Sequence, residues 1–390
     1  MIDFTLTPKD QELLEQVRAE ALICRKYARY YDEHEEEFIP DEFPEAADFE
    51  SVYRHFAGRG DDDTSLPVMS MLLAAGQSWG DYSVRLKRSP GGLGNAALRA
   101  SGTPEQNEKW KDLTLAMAIT EPGCGSDPSQ VQCTAVLDGD EWVINGEKIF
   151  VTTGCKAQGV VVWATIDKSA GRAGIKSFLI EKGTPGFVVA HKEKKLGIRA
   201  DDTAAYVFEN CRIPRENLLG GDETSPMQSS GGFKGVLKTF NMTRPAVAAA
   251  GIGMARAALD FTRDELSKAG VEIEYGGRLH TQTASVARFL ELEALVEAAE
   301  LTILRAAWLS GEGLPNNLEA SVCKAKTGTV VRQVTQGCID LLGAMGVSRV
   351  HLLEKWFRDV RITDIYEGTG EIQRMITARE LLGYGRAELS

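Results

Sequence analysis

The chain has 390 residues and is 43% hydrophobic, which is enough to bury a large core divided among two or three packed regions and argues against a disordered chain. Its 56 acidic residues exceed its 44 basic ones for a net charge of −12, and the basic residues are scattered, which argues against nucleic-acid binding and reads as a solubility charge. Seven cysteines (Cys24, Cys124, Cys133, Cys155, Cys211, Cys323, Cys338) are odd in number and lack CxxC spacing, so neither a disulfide framework nor a zinc site is expected.

The N-terminus, MIDFTLTPKDQELLEQVRAEA, is polar and already patterned as a helix, with no apolar run for export or membrane spanning. A cytoplasmic protein without a membrane partner is expected. Thr7 followed by Pro8 predicts an N-cap and a proline at the first helical position, and Leu13, Leu14, Val17, Ala21 and Leu22 continue at helical spacing. Residues 1–114 therefore read as a helical domain. Within it, the acidic run Asp61, Asp62, Asp63 reads as a solvated loop.

From residue 115 the character changes. Segments such as TAVLDGDEWVINGEKIFVTT, GVVVWATI and SFLIEKGTPGFVVA alternate with Gly, Asp and Pro turns, the pattern of an antiparallel β domain over 115–225. The helical period then returns for 226–390, where long helices with short Gly-containing connections predict an antiparallel four-helix bundle. The fold class expected is α+β, mainly α: a helical domain, an antiparallel β-barrel and a four-helix bundle.

Three segments are candidates for chemistry. MAITEPGCGSD, Met117 to Asp127, makes a tight turn that either is an ordinary loop or presents backbone N–H groups, Thr120 and Ser126 to a ligand. EKIFVTTG, Glu147 to Gly154, is a strand that either simply enters a turn or ends in hydroxyl and N–H donors for a ring ligand, with Phe150 beside it. In RDVRITDIYEGTGEIQR, Glu367 sits at a break between two helices, as a surface carboxylate or as a side chain placed in a cleft. Gly251 and Gly253 lie in a small-residue helix without a preceding strand, so they read as packing glycines rather than a dinucleotide fingerprint. The five histidines, His34, His55, His191, His280 and His351, are too far apart for ligand spacing, and no metal is expected.

Four segments in order, TEPGCGSD, the strand ending VTTG, the helix start NMTRPAVAAAGIGMA and WFRDVRITDIYEGTGEIQR, resemble the acyl-CoA dehydrogenase family at similar separations, from about Ala100 to Gly385. The resemblance implies FAD bound extended, without a Rossmann fold, between barrel and bundle, in a homotetramer built as a dimer of dimers. It implies an acyl-CoA substrate and an electron-transferring flavoprotein as partner. By position, Glu367 would be the base that removes the α-proton while hydride leaves the β-carbon for the flavin. Ile119 and Thr120 would contact the pyrimidine side of the isoalloxazine, and Phe150 with Thr152 its N5 side. Ser126 would lie near the phosphates or pantetheine, and Thr369 and Glu371 near the FAD diphosphate and adenosine. Asn241, Arg244, Tyr366 and Gly368 fall on the acyl-CoA side. Some family members put the base where Thr243 stands here, and threonine cannot serve.

The sequence also departs from the family. The segment of the form PxxxGG that helps to wall the acyl pocket is shortened over residues 43–67. Glu272 stands where an arginine usually reaches the FAD pyrophosphate of the neighbouring subunit, Gln282 is displaced from a usual adenine contact, and Asp340 replaces a glutamine. Either another cation, Arg278 or Lys268, takes over from the arginine or FAD is held more loosely; Arg278, after Gly276 and Gly277, is the expected substitute. Two other readings stay open: an enoyl-CoA-type reductase in the same fold, and an FAD-poor subunit of a hetero-oligomeric acyl-CoA dehydrogenase.

Overall fold

In the computed structural model the described residues are 4–37, 65–88, 92–221, 223 and 231–384, with side chains for all of these except 85–88 and 231–242. Asp61, Asp62, Asp63 and most of the shortened segment, 43–64, lie outside them. The chain divides by packing into two units: Met1–Leu86 with Leu196–Ala200 and Asn241–Ser390, and Lys87–Lys195 with Asp201–Phe240.

The first unit is helical. Helix α1 (Pro8–Glu33) begins as its sequence predicts: the Thr7 hydroxyl accepts from Asp10 N, Asp10 reaches back to Thr7 N, and Pro8 opens the helix. Its buried stripe, Leu13, Val17, Ala21, Cys24 and Ala28, follows the helical period. Helix α2 (Leu66–Arg88) breaks at Asp81, which leaves helical space at φ −159° and ψ 123°. Asp81 Oδ1 accepts from Val84 N at 2.8 Å, so it caps the second segment as an N-cap residue does.

Helices α5 (Gly231–Lys268), α6 (Ala284–Gly311) and α7 (Asn317–Leu342) bury a common core that includes Ala248, Ile252, Phe289, Val296, Val330 and Val334. Helix α8 (Leu353–Asp359) follows, and α9 (Gly370–Leu382) packs along α7. Gly251 and Gly253 are packing glycines: a Cβ at Gly253 would lie 2.1 Å from Ala75 O and one at Gly251 2.8 Å from Thr363 Cγ2. Asp32 is fully buried at the end of α1, where Arg358 donates to both its oxygens at 3.0 and 2.6 Å. Burial alone would raise the Asp32 carboxyl, but Arg358, Lys355 and Arg29 outweigh it and hold the group below its ordinary range.

The second unit joins α3 (Leu93–Ser101) and α4 (Pro104–Trp110) to a seven-stranded sheet. Its strands are β1 (Leu115–Ala118), β2 (Thr134–Asp138), β3 (Glu141–Thr152), β4 (Gly159–Thr165), β5 (Ile175–Glu181), β6 (Phe187–Lys192) and β7 (Thr203–Pro214). The order is β1-β4-β2-β3-β7-β6, with β5 on β4. The expected sheet was antiparallel; this one is mixed, because β1 runs parallel to β4 and β2 meets β4 in parallel at Thr134 and Thr165. The reason lies in β4, whose seven residues are all buried: β5 covers one edge over the full length, and β1 and β2 share the other end to end. Strand patterning carries burial but no direction. Among the described residues β5 and β6 form no ladder with each other, so the sheet is curled and stops short of a closed barrel. Among them also, no helix is long and apolar enough to cross a membrane, and no His/Cys/Asp/Glu group could hold a metal ion.

Candidate active site

In the helical unit the break between α8 and α9 is built by two consecutive left-handed residues, Glu367 at φ 52° and Gly368 at φ 91°. Glycine takes that conformation freely; glutamate does so at a cost, which the surroundings must enforce. Two buried side chains do so. Lys324 on α7 donates from Nζ to Gly368 O at 2.9 Å. Gln373 on α9 donates from Nε2 to Glu367 O at 3.2 Å and to Gly368 O at 3.3 Å. Both are fully buried. Thr369 then caps α9, its hydroxyl accepting from Ile372 N.

Glu367 as a residue is half-buried, yet its Oε2 is closed off from solvent and, among the described residues, makes no hydrogen bond of ordinary geometry. The Thr243 hydroxyl is buried close by, and its interaction with the carboxyl favours the ionised form. Burial pushes the Glu367 carboxyl above its ordinary value, against the opposing pull of Thr243, Lys324 and Arg244. Among the described residues the Glu367 backbone N–H donates to no acceptor. One residue thus offers a destabilised carboxylate and a directed donor at the same turn.

The cations around it are buried too. Burial lowers the Lys324 ammonium to about 8, with Asp364 and Glu367 holding it up and Arg244 pressing it down. Burial also draws Arg244 down, with Glu367 and then Cys323 opposing. Arg244 reaches Ser321 Oγ at 3.5 Å. Tyr366 is half-buried and shares a hydrogen bond with Tyr82 OH at 2.8 Å. Asn241 falls on α5, but its side chain is outside the described set. Lys324 and Gln373 were not found by sequence reasoning. Their signal was present but mute: a Lys and a Gln on apolar helix faces must find partners, and nothing in the pattern says which.

Glu371 is exposed in the first turn of α9, where hydrogen bonds from its own backbone N–H and the Thr369 hydroxyl hold its carboxyl below the ordinary range. Arg278 is exposed and, among the described residues, has no ion pair, whereas Lys268 is tied to Glu265 at 2.7 Å. The double glycine before Arg278 does turn the chain: Gly276 has φ 90°, and a Cβ on Gly277 would lie 2.5 Å from Gln282 Nε2. Glu272 accepts from Ser267 Oγ, and Asp340 from Gln336 Nε2.

In the sheet unit, the turn after β1 closes on itself through Glu121 N to Cys124 O at 2.9 Å and the reverse bond at 3.1 Å. A buried pair fixes it. Lys148 Nζ donates to Glu121 Oε1 at 2.7 Å and to Ile119 O at 3.0 Å, while Glu121 also accepts from Cys133 N and Gln132 N. Sequence reasoning passed over this pair, although Lys148 continues the inward positions of Trp142 and Ile144 on β3, where a charge requires a partner. Ile119 and Thr120 are half-buried beside it, and Ser126 is exposed. Phe150 sits at a β-bulge with φ 56° and 60% of its surface exposed, and Thr152 is half-buried two residues on. A bulge of this kind re-aims one side chain, and here it presents an aromatic face.

Comparison with known proteins fits these features. A family model described as the acyl-CoA dehydrogenase C-terminal domain matches residues 230–382, and one described as its middle domain matches 116–211. A mitochondrial short-chain specific acyl-CoA dehydrogenase of Bos taurus is 33% identical over 364 residues, covering 87% of this chain and 86% of that protein. The solved butyryl-CoA dehydrogenase of Megasphaera elsdenii is 29% identical with TM-score 0.80, over 98% of this chain and 100% of its own. A chain in the structure described as the electron transferring flavoprotein of Acidaminococcus fermentans is 30% identical with TM-score 0.79, over 98% and 100%. The chain belongs to the acyl-CoA dehydrogenase family of oxidoreductases.

Proposed function

We propose that this protein removes the α-proton of an acyl-CoA thioester with Glu367 and so catalyses α,β-dehydrogenation to the trans-2-enoyl-CoA. The observation that carries the reading is the Glu367 turn: a carboxylate with a buried oxygen and a raised proton affinity, on a residue whose own N–H meets no acceptor among the described residues. A thioester α-proton is far less acidic than a carboxylic acid, so its removal needs a base stronger than a solvated carboxylate and a donor for the developing oxyanion. Desolvation supplies the first and the Glu367 N–H the second. Thr243 and the buried Lys324 and Arg244 favour the ionised form and oppose the larger effect of burial.

The residues present fit FAD. The start of α9, capped by Thr369 and carrying the positive end of the helix dipole, suits a diphosphate, and Glu371 lies beside it for the adenosine. In the sheet unit the exposed ring of Phe150, with Thr152, Ile119 and Thr120, suits a flat heteroaromatic ring, and exposed Ser126 suits the phosphates or pantetheine. FAD, when bound, supplies the acceptor for the hydride from the β-carbon. Asn241, Tyr366 and Gly368 complete the acyl-CoA side, and an electron-transferring flavoprotein takes the electrons. The assembly we propose is a homotetramer.

The test is the absorption spectrum of the purified protein and its response to a panel of acyl-CoA thioesters under anaerobic conditions. Bleaching of a flavin band is the expected result and identifies the acyl class. A protein that takes up no flavin, or a flavin that no acyl-CoA reduces, removes the reading.

For the altered FAD-facing segment, Arg278 is the cation we assign to the pyrophosphate in place of Glu272. Arg278→Ala is expected to lose FAD on gel filtration, and Glu272→Arg to hold it at least as tightly as the natural protein, since an arginine–phosphate contact is charge-assisted. Unchanged flavin retention in Arg278→Ala would take Arg278 out of the site. Weaker retention in Glu272→Arg would show that this segment does not face the pyrophosphate.

A further inference from the structure

The buried ammonium of Lys324 also makes a contact that the chemistry just described does not use. Its hydrogen bond goes to a carbonyl, Gly368 O at 2.9 Å, and not to a carboxylate. A fully buried lysine costs free energy, and a salt bridge would offset that cost better than a neutral carbonyl does. The titratable and charged groups that surround it are Glu367 and Asp364 from the break, Arg244 from α5 and Cys323 from its own helix. Tyr366 lies with its ring centroid 5.9 Å from Nζ and is bonded in turn to Tyr82 of α2. Asp364 is shared with Arg332 at 3.7 Å. Every one of these elements meets at the Glu367 turn.

We propose that Lys324 is a positioning residue for proton abstraction: its ammonium fastens the Gly368 carbonyl, which holds Glu367 left-handed, and it sets a positive charge close to the Glu367 carboxylate. The inference rests on the reading of Glu367 as base. The fastening follows from geometry. Glu367 and Gly368 share one peptide unit, and fixing the Gly368 carbonyl next to it leaves the left-handed pair little freedom to relax to ordinary backbone space. Gln373 alone reaches the same carbonyl at 3.3 Å, which is long for an N–H donor. The charge effect follows from sign: a cation close to a carboxylate in a low-dielectric site favours the ionised form.

The experiment uses the FAD-loaded protein and the acyl-CoA that best bleaches it, with anaerobic flavin reduction followed across pH. Lys324→Met is expected to slow reduction by about 10²-fold, the loss typical of a reacting group displaced by roughly 1 Å. Its acid limb should move to higher pH, because Glu367 without the cation holds its proton more tightly. The affinity for a non-reactive acyl-CoA thioether should stay close to that of the natural protein, and Lys324→Arg should restore much of the rate. Should Lys324→Met fail to fold, Lys324→Gln carries the same test: it keeps a donor and loses the charge, so its acid limb should also move up. An acid limb that stays in place in either variant, or a natural rate in Lys324→Met, overturns the proposal. Glu367→Gln separates the two levels. If that variant reduces flavin normally, the base assignment fails and this inference with it; if it is inactive while the Lys324 variants behave as the natural protein, Lys324 alone is removed.

Discussion

Glu367→Gln is expected to keep its fold and its FAD while flavin reduction by acyl-CoA falls by at least about 10²–10⁴-fold, the usual contribution of a general base. The amide has the same shape, can occupy the same left-handed turn and can face the same Thr243 hydroxyl, but it cannot accept the α-proton. In the natural protein the base works only when ionised, so reduction should speed up as pH rises through the Glu367 pKa. Burial places that limb above the ordinary carboxylate range. The same shift has a consequence for stability. A carboxyl whose folded pKa is raised costs stability at pH above its unfolded value, and the cost fades as pH falls through the folded one. At neutral pH Glu367→Gln should therefore melt at or above the temperature of the natural protein, a sign of a site strained for function. Bleaching at the natural rate in this variant would rule out Glu367 as base. A clear fall in melting temperature would show the ionised carboxylate to be stabilising, contrary to the dominance of burial over its neighbours.

Much of this was legible in the residues. The Thr7–Pro8 cap, the change from helical to alternating patterning near residue 115 and the packing role of Gly251 and Gly253 all rest on local chemistry, which a sequence carries in full. The break at Glu367 was legible for the same reason, since Gly368 and Gly370 interrupt a helical period. What escaped depends on partners distant in sequence. Lys324 and Gly368 are separated by 44 positions, and Lys148 and Glu121 by 27. The parallel entry of β1 beside β4 is likewise a property of the returning chain and not of either strand. The kink at Asp81 was invisible because an aspartate that caps the second half of a bent helix looks, in sequence, like one exposed residue of a straight one.

That kink sets up the largest stability effect expected. Lys355 is completely buried and donates to Asp81 Oδ2 and to Asp359 Oδ2, both at 2.5 Å. Both carboxylates are already engaged elsewhere: Asp81 Oδ1 caps Val84 N at 2.8 Å, and Asp359 Oδ1 accepts from Ile198 N at 2.6 Å. Burial would lower the Lys355 ammonium, but Asp359 and Asp81 overcome it and raise it above its ordinary value. Burial raises the Asp359 carboxyl, with Lys355 opposing and Asp81 adding to the rise. Lys355→Met, which fits the volume but removes the charge, leaves two like-charged carboxylates buried together. Removing one partner of a buried ionic group typically costs about 3–5 kcal/mol, and the variant should show a matching fall in its denaturation midpoint. The pH dependence gives the mechanism. Without the cation the Asp359 carboxyl pKa in the folded state rises further above its unfolded value, so the loss should be largest at neutral pH and shrink as pH falls through it. Asp359→Asn should cost less, because the amide oxygen can still accept from Ile198 N and Lys355 keeps Asp81. A Lys355→Met variant as stable as the natural protein at neutral pH, or one whose deficit grows on acidification, would show that the ammonium does not hold these two carboxylates together.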